Sequence, residues 1–292
     1  MTALLVTVMV VLYSFQSLFC KLFSQHYNSK SPALTSTVFS IAFGGIAGLA
    51  TLCVAGFRFS PAPITLFCGL FNAVILLIYN TAMVQASRSG SYSFQMICML
   101  FGSIVLQLLF GVMFQGNVLN PLQLIAIAMM LVSFVLMNLK GLSVKGSSKK
   151  FLFWCAALFF SNGIYSILMN VQQQQMNGAQ RNEMIILSYL GMAVLYAAIQ
   201  MVKDRRALIQ GFKIPKKPLA YLLICCTCAS LAVHMLVYIL TLIDATILYT
   251  IDNGGVLMLS VIYSCILFKE RLSKAQLAGI LLAIASIIML SL

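Results

Sequence analysis

Acid is what this sequence most lacks. Asp and Glu together number 5 in 292 residues against 18 Lys and Arg, and charged residues of both signs make up only 8% of the chain. A soluble domain carries about 25% charged residues. There is too little charge here to cover a water-soluble particle. What fills the space is apolar: 62% of the residues are hydrophobic and the mean hydropathy is +1.02. The chain reads as an integral membrane protein, with the lipid bilayer as its first partner.

Other absences narrow the reading. The net charge of +13 raises the question of nucleic acid, but the basic residues fall in short clusters between apolar runs. That is how a membrane protein holds its cytoplasmic loops in place, so no nucleic-acid partner is expected. No loop carries a cysteine pair among the 9 cysteines, so no disulfide is expected. The run Cys225-Cys226-Thr227-Cys228 reads as small polarizable packing residues. It has no Cys or His pair nearby at ligand spacing, and so no metal site is expected. The first segment lacks a basic n-region and an A-x-A site, so no cleavable signal peptide is expected. There is no ATP-binding motif, and hence no expected cofactor; transport would be secondary.

A spanning helix needs about 20 mostly apolar residues. Ten stretches qualify, near 2–20, 33–56, 62–86, 91–115, 121–139, 151–172, 183–202, 218–241, 244–268 and 274–292. The expected fold is an all-α membrane protein of ten transmembrane helices. The basic linker 141–150 divides it into halves 1–140 and 151–292, five spans each. The halves resemble each other. "QLIAIAMMLVSFVLMNL" (Gln123–Leu139) aligns with "QLAGILLAIASIIMLSL" (Gln276–Leu292), matching Ser133 to Ser286 among others. "AVILLIY" (Ala73–Tyr79) aligns with "AVHMLVY" (Ala232–Tyr238). Five is odd, so the second copy inserts upside down. Inverted repeats of this kind mark secondary transporters, with the substrate site at the repeat interface.

Charge orients the chain. The loops after spans 1, 3, 5, 7 and 9, with Lys21 counted in the first, hold every basic residue except Arg58 and Arg181. Basic loops stay in the cytoplasm. This predicts a multi-pass protein of the cell membrane with both termini outside.

The stretch "FKERLSKAQLAGILLAIASIIML" (Phe268–Leu290) resembles the closing motif of EamA-type transporters of the drug/metabolite transporter superfamily. There a Glu-Arg-Leu step precedes the last span, here Glu270, Arg271 and Leu272, followed by Gln276 and Gly279. The resemblance implies two five-helix halves and transport of small molecules. The first half departs from the pattern, with "FQGNVLNPLQ" and no Glu-Arg pair. Members of the superfamily often place both termini in the cytoplasm, contrary to the charge reading here.

Within span 9, "LYTIDNGGVLM" (Leu248–Met258) sets a carboxylate among apolar residues. A bare charge near the bilayer centre costs at least about 2.5–3.5 kcal/mol, so such residues face a cavity or a partner. Tyr249, Asp252 and Asn253 share a helix face. Gly254 and Gly255 weaken the helix or let another segment approach closely. His234 and Asp252 flank the short turn between spans 8 and 9 at equal distances, about 13 Å below it at 1.5 Å per residue. Tyr238 lies one turn from His234. The pair would share a proton or leave the aspartate free to meet a cation; the alternative is a histidine simply satisfied by a backbone or hydroxyl group. "SYSFQM" (Ser91–Met96) matches "LYTIDN" (Leu248–Asn253), making Tyr92 and Gln95 the neutral mirror of Tyr249 and Asp252. Spans 1 and 6 add polar stripes: Tyr13, Gln16 and Ser17 on one, Ser161, Asn162 and Tyr165 on the other. Interhelical hydrogen bonding is the alternative role for each stripe. Spans 1, 3, 4, 6, 8 and 9 are expected around the cavity.

No Lys or Arg lies deep in any span, Lys21 being placed at a span end, so anionic substrates are disfavoured. Span 1 also lacks the glutamate of the small multidrug-resistance relatives. The sequence thus points to a secondary transporter, an exporter of small neutral, zwitterionic or cationic organic metabolites such as amino acids or drugs. Proton coupling through Asp252 is open, as is a monomer or a homodimer. The alternatives are an intramembrane enzyme, for which no catalytic set is evident, and a scaffold or scramblase, which leaves the buried Asp and polar stripes without a role.

Overall fold

Ten helices follow in order: α1 (Thr2–His26), α2 (Pro32–Val54), α3 (Pro63–Ser89), α4 (Tyr92–Phe114), α5 (Pro121–Asn138), α6 (Lys149–Gln175), α7 (Arg181–Gly211), α8 (Lys216–Ile239), α9 (Ala245–Ile266) and α10 (Lys274–Leu290). The computed structural model describes residues 2–27, 32–114, 120–138, 149–239, 242–243, 245–269 and 272–290, with no strand among them. Seven helical segments, in α1–α4 and α6–α8, are long and apolar enough to cross a membrane by length and composition; Ile251–Ile266 and Lys274–Ser286 are shorter apolar helices. Most of the linker 141–150, together with Glu270 and Arg271, lies outside the described residues.

Local chemistry sets the helix starts. Pro32, Pro63 and Pro121 open α2, α3 and α5, where a missing N–H costs nothing. At α10 the Ser273 Oγ accepts from the Gln276 amide at 3.2 Å, and the Gln276 side-chain oxygen accepts from the Ser273 amide at 2.9 Å. This capping box gives the Gln of the closing motif a structural reason.

Two helices outrun their expected ends by more than a turn. α1 extends to His26, which moves Lys21 from a loop into the helix and buries it to 2% exposure. Its ammonium lies 3.9 Å from the Phe268 ring centroid and 4.9 Å from that of Tyr92. Aromatic faces attract a cation, so the charge is held inside rather than in a loop. α7 extends to Gly211 across a break at Asp204 (φ −164, ψ 93). The Asp204 carboxylate accepts from the Ala207 amide at 2.9 Å and caps the restarted helix. Much of the basic stretch after span 7 is therefore helical.

Helix pairing largely survives exchange of the halves. α2 packs on α7, α5 on α10 and α4 on α9; α1 on α8 answers α6 on α3, α1 on α9 answers α6 on α4, and α2 on α8 answers α7 on α3. The contacts of α3 with α1 and α2, and of α9 with α10, have no counterpart of similar extent. The glycines follow the same exchange. A Cβ on Gly102 of α4 would collide with the Phe159 carbonyl of α6, and one on Gly255 of α9 would stand 2.6 Å from Val10 Cγ1 of α1. The loops divide between two ends. Tyr27 donates to the Gly211 carbonyl at 2.6 Å. At the other end the Gln180 side chain accepts from the Ala62 amide at 2.7 Å and donates to the Ser60 carbonyl at 3.1 Å.

The polar residues lie inside and the grease outside. Asn72, Gln95, Gln172, Ser188 and Ser260 are buried, while Leu70, Phe71, Val74 and Ile78 of α3 stand exposed, as do Leu152, Phe153 and Phe160 of α6. A bilayer rewards that arrangement, since the lipid-facing side chains need no polar partner.

Candidate functional site

Asp252 lies in the middle of α9 and is nine-tenths buried. It faces a cavity of about 100 Å³. Eight helices contribute to the wall: Tyr13, Gln16 and Ser17 from α1, Phe43 from α2, Leu76 and Tyr79 from α3, Met99, Leu100 and Ser103 from α4, Asn162, Tyr165 and Ser166 from α6, Tyr189 from α7, Leu236 from α8, and Tyr249, Asp252, Asn253 and Val256 from α9. α5 and α10 are not represented. α2 and α7 join the six helices expected from the sequence.

The lining obeys the exchange of halves. Met99, Leu100 and Ser103 are separated from Asp252, Asn253 and Val256 by the same interval that separates Gly102 from Gly255. A single shorter interval likewise relates Tyr13, Gln16 and Ser17 to Asn162, Tyr165 and Ser166. Equivalent helices thus present the same three steps of a helix face. The carboxylate comes from one half only, and Met99 stands where a symmetric site would put a second.

Most of the wall is held by its own hydrogen bonds. Asn162 donates to the Met99 carbonyl at 2.8 Å and Tyr79 to the Met99 sulfur at 3.0 Å. Asn253 donates to the Tyr249 carbonyl at 2.7 Å and accepts from Ser103 at 3.4 Å, which ties α9 to α4. The Tyr165 and Tyr189 hydroxyls meet at 3.5 Å. Asp252 is different: its Oδ1 is buried with no hydrogen-bond partner among the described residues. Tyr13 lies close enough to Tyr165, Tyr189, Tyr249 and Asp252 to interact with them electrostatically. An unpartnered buried carboxylate oxygen is costly, and a group that stays in that condition is open to a proton or a ligand.

Eight of the sequence-predicted residues line this cavity together: Tyr13, Gln16, Ser17, Asn162, Tyr165, Tyr249, Asp252 and Asn253. Seven stand elsewhere, among them Ser161, which donates to the Ala157 carbonyl of its own helix at 2.6 Å. His234 is not beside Asp252, because α8 packs on α1 and α2 while α9 packs on α1, α4 and α10; the short turn does not make a close helix pair. The His234 Nε2 lies 3.1 Å from the Thr51 hydroxyl, whose own proton goes to the Ala47 carbonyl at 2.8 Å. Nε2 must therefore be the donor. Tyr238 points outward, about half exposed. Tyr92 sits under Lys21. Gln95 accepts from Ser87 at 3.0 Å and donates to the Met83 carbonyl at 3.3 Å. The match of Tyr92 and Gln95 to Tyr249 and Asp252 was slipped by one helical turn; the glycines set the true register and bring Met99 to the cavity. α9 also runs unbroken through Gly254 and Gly255, so no half-helix forms there. Gly255 serves the close approach of Val10 instead.

Tyr79, Tyr189 and Phe43 were not anticipated. Tyr79 and Tyr189 have only apolar residues three and four positions away, and Phe43 is flanked at that spacing by Phe39, on which it stacks, and a single serine, Ser40, so no polar stripe marks their faces.

Residues 149–292 match the model of the EamA-like transporter family. This half of the chain belongs to that family. The family is one of transporters, and with the apolar helices it makes the protein a multi-pass membrane transporter of the drug/metabolite type. No curated protein matches the sequence. A solved crystal structure of a protein superposes over 99% of this chain and 94% of its own, with a TM-score of 0.64 and 14% identity. That likeness is one of fold, and it takes in both halves of the chain.

Proposed function

We propose that the protein is a secondary exporter of small organic metabolites, working by alternating access around the Asp252 cavity. The observation that carries this is the unpartnered, buried Oδ1 of Asp252 in a cavity walled by both halves of the chain. A carboxylate that exchanges a proton for a ligand at the midplane links transport to a gradient without ATP. The exchange-related packing of the helices supports two inverted halves that rock about the site. In the orientation favoured by loop charge, the end holding Tyr27 and Gly211 is cytoplasmic and both termini are outside.

Flux into everted vesicles tests the reading, with a panel of labelled amino acids, amines and cationic dyes. Accumulation of at least one of them on imposing a proton gradient, absent from vesicles without the protein, is the expected result. Gradient-independent behaviour across the panel would overturn the coupled mechanism.

A further inference from the structure

Resting on that reading of the cavity as the substrate site, we infer that its ligand is a small alkylammonium cation carrying no carboxylate of its own. Three features of the wall carry this. Asp252 is the one charged residue among the described lining residues, and its Oδ1 awaits a donor. Five of the chain's 11 tyrosines, Tyr13, Tyr79, Tyr165, Tyr189 and Tyr249, stand around it. Among the described residues no Lys, Arg or His lines the cavity. Lys21, the buried ammonium, is turned to the Phe268 and Tyr92 rings and is not part of the wall.

Each ligand class meets this wall differently. An ammonium ion supplies the missing donor and countercharge to Asp252, and the aromatic rings replace part of its hydration. A neutral molecule leaves the carboxylate without a countercharge. A zwitterion brings a second carboxylate close to Asp252, and no cation is there to receive it. Size restricts the choice further. A cavity of about 150 Å³ admits benzene, and this one, near 100 Å³, suits a shorter branched amine.

The test is equilibrium binding to the full chain in lipid nanodiscs at about pH 8, where a simple amine is protonated. Isobutylamine, isobutanol and valine share a branched alkyl group and differ in charge. Isobutylamine should bind, with the other two weaker by about tenfold or more. Tyr249→Phe keeps the ring and should hold affinity within about threefold, whereas Tyr249→Leu should lose about fivefold or more. Asp252→Asn should remove the amine's advantage over isobutanol, and the Tyr249 pair keeps the test sound even where that variant fails to fold. Valine or isobutanol binding as tightly as the amine overturns the inference, and so does an absence of amine binding. Should vesicles then still carry some other metabolite, the transport reading stands and only the ligand class falls. Amine binding of the expected order without flux of any compound keeps the ligand class and removes the transport reading.

Discussion

Ser133 and Ser286 each donate a hydrogen bond into the other's helix: Ser133 to the Gly279 carbonyl of α10 and Ser286 to the Ala126 carbonyl of α5, both at 2.7 Å. The residues were paired by sequence alignment of the two halves, and their acceptors occupy equivalent positions in that alignment. Reciprocity of this kind is what a two-fold relation between the halves produces at its axis. Both hydroxyls are fully buried. Ser133→Ala and Ser286→Ala should therefore lower stability by equal amounts, each roughly 0.6 kcal/mol, the mean for such bonds in membranes. Thermal unfolding in detergent reads this out. A large effect for one and none for the other would break the equivalence.

The glycine contacts predict a graded series. At Gly102 a Cβ meets the Phe159 backbone, which cannot turn aside; at Gly255 it meets only the Val10 side chain; at Gly45 it meets nothing within 4 Å. Gly102→Ala should cost about 1–3 kcal/mol or prevent folding, as overpacking does. Gly255→Ala should cost less and be relieved by Val10→Ala. Gly45→Ala should be neutral or gain about 0.5–1 kcal/mol from helix propensity. Melting temperatures of the three variants in one detergent give the order, and a Gly102→Ala protein as stable as Gly45→Ala would refute the packing argument.

Much of this was legible in the sequence, for physical reasons. Hydropathy fixed the ten helices because lipid allows little else, and a carboxylate in an apolar run marked Asp252 for the same reason. The stripes on α1 and α6 were readable because polar residues recur at helical spacing. What escaped were features set by packing. Lys21 looked like a loop charge because a sequence does not show the Tyr92 and Phe268 rings that shelter it. Tyr92 and Gln95 looked like site residues because Tyr and an acid or amide recur in both halves, yet the register is set by Gly102 and Gly255. His234 and Asp252 looked adjacent because a short turn suggests a close pair, while the helices it joins pack on other neighbours.

Topology is testable by labelling. Ser60 belongs to the end that Gln180 ties together, and Lys213 is exposed just beyond the Gly211 that Tyr27 contacts at the other. With Ser60→Cys and Lys213→Cys introduced separately, a membrane-impermeant maleimide added to intact cells should label the first and spare the second. The reverse pattern would turn the protein over and show that loop charge had been overruled.

Asp252 and His234 separate the mechanism from the scaffold. Asp252→Asn keeps the shape of the side chain but removes its titratable charge, and no described hydrogen bond of the wall depends on it. The variant should insert and melt close to the parent, within about 1 kcal/mol of it. Gradient-driven accumulation in everted vesicles should fall by at least about tenfold, the usual span of a lost proton-transfer group being larger still. His234→Gln should do the opposite. It disturbs the bond to Thr51 at the α2–α8 contact, so it should shift stability by roughly 0.6–1.7 kcal/mol and leave the proton dependence of flux unaltered. Measuring melting and flux on the same two preparations makes the contrast decisive. If Asp252→Asn still accumulates substrate against a proton gradient, the carboxylate is no part of the coupling. If His234→Gln alone flattens the response to pH, the proton pathway runs along α8 instead of through the tyrosine-lined cavity.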